Sequence, residues 1–281
     1  MADDSQQRVA KLMAARGLCS RREAERLIDA GCVLVDGEVV RQQGAKAADD
    51  ARIEISGAGE ALLGGRETVI VNKPIGLVST QPEPGQTPAW TLITAATQRG
   101  AIDRAQRDQI IAAARELSVA GRLDRASRGL LVLTQDGTVA RRIIGGNGVE
   151  KAYLVAVTPA PRDEQIRKLN GPLRLDGVAL RPMRVTRAGA EGLRFVLVEG
   201  RKHQIRRCCR TVGLEVTDLQ RIAVGPLRLG DLPEGCWRVV STEEIELLQS
   251  DGRVSSRAEA KVPKASTQRR RGAESTEKRR R

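Results

Sequence analysis

Hydrophobic and polar positions in this chain follow a helical period over residues 6–30. Val9, Leu12 and Met13 fall on one face of a helix predicted over residues 7–15. Ser20-Arg21-Arg22-Glu23 has the form of a capping box, with Ser20 as N-cap and Glu23 at the third helical position. The helix it opens is expected to bury Ala24, Leu27 and Ile28, to reach about Ala30 and to stop at Gly31. Residues 32–35 and 38–40 then read as two strands joined by the turn pair Asp36-Gly37. Glycines at 57, 59, 64 and 65 mark a short linker over residues 58–66.

Beyond the linker the period shortens. Residues 68–71 predict a buried strand, followed by the turn-forming Asn72-Lys73-Pro74-Ile75-Gly76 and a Pro/Gly-rich loop over 81–88. Residues 104–117 are helical in character, and the alternating charge over 103–115 predicts poor packing there. Residues 130–134 form an apolar run short enough for a buried strand, closed by Asp136-Gly137. A short helix over 139–144 carries Arg141 and Arg142. The strand expected over 150–157 puts Lys151, Tyr153 and Val155 on one face, with Leu154 and Ala156 on the other. A helix and turn follow at 161–171, then a strand at 194–198. Ile205, Cys208, Cys209 and Val212 recur at the spacing of one buried helix face, ended by Gly213, which makes both cysteines core residues and leaves Arg207 and Arg210 outside.

Charge changes this picture by its position. The chain has 281 residues with 48 Lys+Arg against 35 Asp+Glu. Residues 1–57 carry nine basic and ten acidic side chains, yet residues 8–26 gather Arg8, Lys11, Arg16, Arg21, Arg22 and Arg26 against two acids. That is the pattern phosphate contact requires, and these six are the candidate RNA-binding residues. Residues 251–281 hold eleven basic and four acidic residues with no aromatic and read as a disordered tail, solvated or in contact with an RNA backbone. Trp90, Tyr153, Phe195 and Trp237 are the only aromatics, too few for a base-stacking platform. There is no apolar run of membrane-spanning length, and the polar start (Ala2-Asp3-Asp4-Ser5) does not read as a secretory signal. Five cysteines without a C-x-x-C pair fit a reduced, cytoplasmic protein, and a single histidine, His203, leaves a metal site almost nothing to use.

The candidate chemistry lies in Gly121-Arg122-Leu123-Asp124-Arg125-Ala126-Ser127-Arg128-Gly129. A lone carboxylate stands there among three arginines, on a loop anchored to a core strand, and those cations are expected to keep Asp124 ionised. An aspartate in a surface ion-pair cluster would present the same pattern.

Residues 18–39 resemble the S4 RNA-binding domain. The ordered motifs N-K-P-x-G, G-R-L-D-x-x-S-x-G-L-L-x-L-T-x-D-G, E-K-x-Y and E-G-x-x-x-Q-I-R-R behind it are similar to those of the RsuA-type ribosomal pseudouridine synthases. Three positions depart from the nearest members, which usually have Asn-Arg at Lys202-His203 and Met at Cys208. The resemblance implies an α+β chain, with an S4 domain at 6–57 and a catalytic domain at 67–250. The latter would have a mixed, mainly antiparallel sheet and flanking helices. It implies isomerisation of a uridine to pseudouridine without cofactor or metal. Asp124, Tyr153 and Arg206 would be the catalytic set, with Arg206 paired to Asp124. Arg122, Lys73, Lys151, Ile205 and Gln204 would bind substrate. The stretch at 229–238 points to the large-subunit branch, so the expected partner is 23S rRNA or a ribosomal assembly intermediate, met by a cytoplasmic monomer. 16S rRNA or a tRNA is the alternative substrate. A non-catalytic S4-type assembly factor and a nuclease on an S4 scaffold are the competing readings. The first has no use for an aspartate facing phosphates. The second would want clustered carboxylates, where this stretch offers only Asp124 and Asp136.

Overall fold

The computed structural model describes residues 6–146, 148–250 and 252–253, so the predicted tail lies outside the described residues apart from Gly252 and Arg253. The first unit runs β1 (Gln7–Arg8), α1 (Val9–Ala15), α2 (Arg21–Asp29), β2 (Val33–Val35), β3 (Glu38–Val40), β4 (Lys46–Ala47) and β5 (Ile53–Ile55). The capping box forms as its sequence implies: Ser20 Oγ accepts from the Glu23 amide and Glu23 accepts from the Ser20 amide at 2.6 Å. Val9, Leu12, Met13, Ala24, Leu27 and Ile28 close one core against Cys32 and Val33. Asp36 and Gly37 both take positive φ, as a tight two-residue hairpin requires. The first predicted helix loses its first two residues to β1, which pairs with β4.

The predicted linker is instead a helix, α3 (Gly57–Gly64), capped by the Ser56 hydroxyl. Gly59 has a packing reason: a Cβ there would lie 2.6 Å from Ile55 and 2.9 Å from Cys32. The helix is packed onto the first unit rather than suspended between two.

The second unit continues β6 (Thr68–Lys73), α4 (Arg104–Ala112), β7 (Ser118–Ala120), β8 (Arg128–Thr134), α5 (Gly137–Ile144), β9 (Lys151–Thr158), α6 (Asp163–Asn170), the short pair β10 (Arg174–Leu175) and β11 (Val178–Ala179), β12 (Arg184–Arg187), β13 (Gly192–Leu197), α7 (Gln204–Thr211), β14 (Glu215–Val224), β15 (Leu227–Arg228), β16 (Trp237–Val239) and α8 (Thr242–Ser250). Its main sheet has the order β12-β13-β9-β14-β8-β6-β16, with β7 and β15 attached to β8 and β14. Only β14 and β8 run parallel, so the sheet is mixed and mainly antiparallel. Both faces are covered. Val69, Val71, Leu131, Leu133, Val155 and Phe195 pack on one side, while Ile70, Leu130, Val132, Ile143 and Val224 pack on the other. Burial on both faces accounts for the unbroken apolar run in β8.

The charged stretch at 103–115 packs better than its sequence suggests. Ile110 is 1 % exposed and joins Ala114 and Leu117 in the core, a burial worth about 1.5–3 kcal/mol for the isoleucine alone. One apolar position per turn is enough when it points at a large sheet.

Candidate active site

The loop from β7 to β8 carries Asp124, and each of its six carbonyls from Gly121 to Ala126 accepts a hydrogen bond. Arg221 donates to the Gly121 and Arg122 oxygens at 2.8 and 3.3 Å. Ser79 Oγ donates to Leu123 O at 2.7 Å and accepts from the Leu123 amide at 2.9 Å. The Ser127 amide bonds Asp124 O at 3.0 Å, and the Gly76 amide bonds Arg125 O at 2.9 Å. Arg206 donates to Ala126 O at 2.8 Å. Six consecutive carbonyls that accept from four separate segments pin the loop in place. The motifs that are distant in sequence converge here: Asn72–Gly76 supplies the Gly76 amide, and the helix of Gln204, Ile205 and Arg206 supplies a guanidinium.

Arg221 is the residue that the sequence pattern did not single out. It is 1 % exposed and also donates to Leu130 O at 2.7 Å, so it ties both ends of the loop to β14. Its backbone lies so close to Gly129 that a Cβ there would sit 2.3 Å from the Arg221 oxygen, at a φ of +104 that favours glycine. The available signal was a charge next to Gln220 and directly before the apolar Ile222-Ala223-Val224.

Two lysines flank Arg221. Lys73 is fully buried, and its Nζ donates to Pro74 O and Leu77 O at 2.8 and 2.9 Å, which shapes the turn that presents Gly76. Burial first, then the neighbouring Arg221, pushes its pKa down to about 8, against the pull of Asp124 and Glu234. Lys151 donates to Ile143 O and Val149 O, and burial with Arg221 beside it likewise brings its pKa to about 8.

A cleft of about 710 Å³ opens over this floor. The structure brings Asp124, Tyr153, Arg206, Arg122, Lys151, Ile205 and Gln204 to its lining. Lys73, expected with them, lies outside the lining, beneath the loop. Gln204 has its amide engaged, accepting from the Arg201 amide at 2.9 Å and donating to Glu199 at 3.1 Å. Tyr153 is 8 % exposed, with Val155 on the same core and Leu154 on the opposite one, as the period of two predicted.

The expected pairing of Arg206 with Asp124 is not formed among the described residues. Arg206 Nη1 and Nη2 donate to Val216 O and Ala126 O, which draws the guanidinium under the loop while Asp124 faces the cleft. The neighbouring arginines also turn elsewhere. Arg125 donates to Gly76 O, and Arg128 forms ion pairs with Asp218 at 2.7 Å and Glu234 at 3.7 Å. The ionisable side chain against Asp124 is His203, with Nε2 3.6 Å from Oδ1. Cys208 and Cys209 are fully buried, with both thiols pushed up, chiefly by burial, Cys209 to about 12.

The six candidate RNA-binding cations are exposed on the first unit, although Arg16 donates to the Asp49 and Ala51 carbonyls, each at 2.6 Å. That unit is seated against the second. Arg66 bridges Glu23 at 3.1 Å and Asp136 at 3.4 Å, and Arg141 donates to the Ala14 carbonyl. Burial raises the Glu23 pKa, but bonds from Ser20 and Arg66 outweigh it and hold the carboxyl below its ordinary value. Asp136-Gly137, expected as a turn, is the start of α5: Asp136 caps the helix, and Gly137 lets Ser20 approach where a Cβ would meet it at 2.0 Å.

An S4 domain model matches residues 7–52, and a model described as RNA pseudouridylate synthase matches residues 67–211, just over half of the chain. The chain belongs to the RNA pseudouridylate synthase family. It is 32% identical over 254 residues to the dual-specificity RNA pseudouridine synthase RluF of Salmonella typhi, covering 87% of this chain and 79% of the relative. An uncharacterized RNA pseudouridine synthase of Aquifex aeolicus (strain VF5) is 31% identical over 247 residues, covering 86% of this chain and 93% of the relative. The fold is that of a pseudouridylate synthase crystal structure with a TM-score of 0.57 at 23% identity, which spans 86% of this chain and 99% of that one. The enzyme is therefore an isomerase acting on RNA, with an S4 domain ahead of a synthase domain. Among the described residues no helix is long and apolar enough to cross a membrane.

Proposed function

We propose that this enzyme converts a uridine of 23S rRNA to pseudouridine in the cytoplasm, acting as a monomer with Asp124 as the reacting carboxylate. The observation that carries the reading is the pinned loop, which holds one carboxylate at the wall of a cleft shared with Tyr153 and Arg206. The substrate nucleotide would leave its stack to enter, at a cost of a few kcal/mol offset by phosphate contacts from the S4 face. In the isomerisation the N1–C1′ bond breaks and the C5–C1′ bond forms. C5 loses a proton and N1 gains one, so no electron acceptor is needed. Asp124 acts at the ribose, as nucleophile or as base. Tyr153 lies against the uracil and assists loss of the C5 proton, with Ile205 packed beside the base. Arg122 fills the position the nucleotide vacates. Lys151, Gln204 and Lys73 act one layer out, through the carbonyls and the loop that they hold.

The large-subunit assignment rests on the resemblance at residues 229–238. The description of the Salmonella typhi relative as dual-specificity favours a second RNA substrate, for which a tRNA is the candidate. Mapping pseudouridine in 23S rRNA, 16S rRNA and tRNA from a deletion strain tests both. One 23S position should lose the modification and regain it on complementation. Loss only from 16S rRNA or only from tRNA would contradict the 23S assignment.

A further inference from the structure

His203 occupies an unusual backbone position for a specific contact. It is the N-cap of α7 with φ +53, in the left-handed region that most side chains avoid, and its own side chain makes no capping bond. Its Nε2 instead stands 3.6 Å from Asp124 Oδ1, too far for a good hydrogen bond and within ion-pair range. The side chains are 49 % and 43 % exposed, so the pair adds little to stability where solvent reaches it. Covering by RNA would exclude solvent and strengthen the interaction.

Four cations around the loop are committed. Lys73 below the loop and Arg221 in the floor are held by carbonyls, as are Lys151 and Arg206. Three groups face the pair from the loop before α7: Glu199, Arg201 and Lys202. Glu199 is taken up by Gln204 and Arg201. Arg122 and Arg181 border the same cleft, and Arg181 donates to Gly146 O. His203 is thus the side chain that stands directly against the Asp124 carboxylate.

We propose that His203 is the positioning residue of Asp124: set against Oδ1 from the start of α7, its imidazole orients the carboxylate once RNA covers the cleft. This rests on Asp124 being the reacting carboxylate.

Single-turnover rates on an RNA substrate at saturating enzyme, over pH 5.5–9, test it in the wild type, His203→Arg and His203→Asn. Asparagine tolerates the left-handed backbone, so its variant keeps the fold without the imidazole. The wild-type rate should exceed that of His203→Asn roughly tenfold, as displacing a reacting group does. His203→Arg, whose guanidinium can reach the same carboxylate oxygen, should recover most of the wild-type rate. His203→Asn should be slow at every pH tested while binding RNA as tightly as the wild type. Superimposable profiles in the wild type and both variants overturn the proposal, as does a His203→Asn variant that weakens RNA binding at an unchanged rate. Full turnover in Asp124→Asn would instead remove the carboxylate assignment beneath it.

Discussion

Arg206 shows how a residue expected at the site can act differently from its expected role. Paired with Asp124, it would support activity by charge, and Arg206→Met would recover as pH rises. The structure has it holding the Ala126 and Val216 carbonyls, so its loss releases the loop. Arg206→Met should lower the single-turnover rate by roughly 10²-fold, as small displacements of a reacting group do, without recovery up to pH 9. Recovery at high pH would restore the direct pair. The buried lysines give a second expectation at this scale. With folded-state values of about 8 against an ordinary 10.5, Lys73 and Lys151 shed protons in the native protein before the unfolded chain does. Between pH 8 and 10.5 the unfolded state binds more protons, so each lysine contributes stability that rises with pH by up to about 1.4 kcal/mol per unit. Urea unfolding of the wild type minus Lys151→Met should show that rise. A difference that is constant across the window would mean that Lys151 is not held in a desolvated place. Asp124, Tyr153 and Ile205 line one cleft, and what pointed to them together was the resemblance carried by their separate local motifs. Arg221 was not legible, since what singles it out is burial beside Gly129 and Leu130, residues more than 90 positions away.

At the scale of elements, the helices and hairpin of the first unit could be read directly because caps, turns and period agreed with one another. The second unit was legible where strands are buried on both faces, as in β6 and β8. The longest strand, β14, was missed. It is mainly polar from Glu215 to Arg221, with Val216 and Leu219 the apolar positions, and apolar only over Ile222 to Val224, so neither strand pattern holds along its length. The short strands β12 and β16 and helix α8 were missed as well, and they owe their form to pairing or packing rather than to local pattern. The α2–α5 seat is likewise a tertiary feature hidden in a turn-like Asp-Gly. Gly137→Ala should force Ser20 and Glu23 away and cost about 1–3 kcal/mol. Chemical denaturation together with faster proteolysis within residues 52–67 would register it. An unchanged midpoint and cleavage rate would show that the two units do not depend on this contact.

Across the whole molecule, the net charge of +13 is less informative than its distribution. A first unit that is slightly acidic overall still presents Arg8, Lys11, Arg21, Arg22 and Arg26 outward from one helix pair, and Arg66 fixes that pair to the synthase domain. Replacing Arg21 and Arg22 together by glutamine should weaken RNA binding and flatten the log–log salt dependence by about 0.7–0.9 for each phosphate no longer neutralised. The rate at saturation should hold, and an unchanged slope would place the docking surface elsewhere. The central claim, that a pinned loop presents Asp124 as the reacting carboxylate, is tested most directly by tritium release from RNA labelled at uracil C5. Asp124→Asn preserves the shape of the side chain and every carbonyl bond of the loop while removing the charge. The account predicts a folded variant that binds RNA and releases no tritium above the uncatalysed background; release at a rate comparable to the wild type would contradict it.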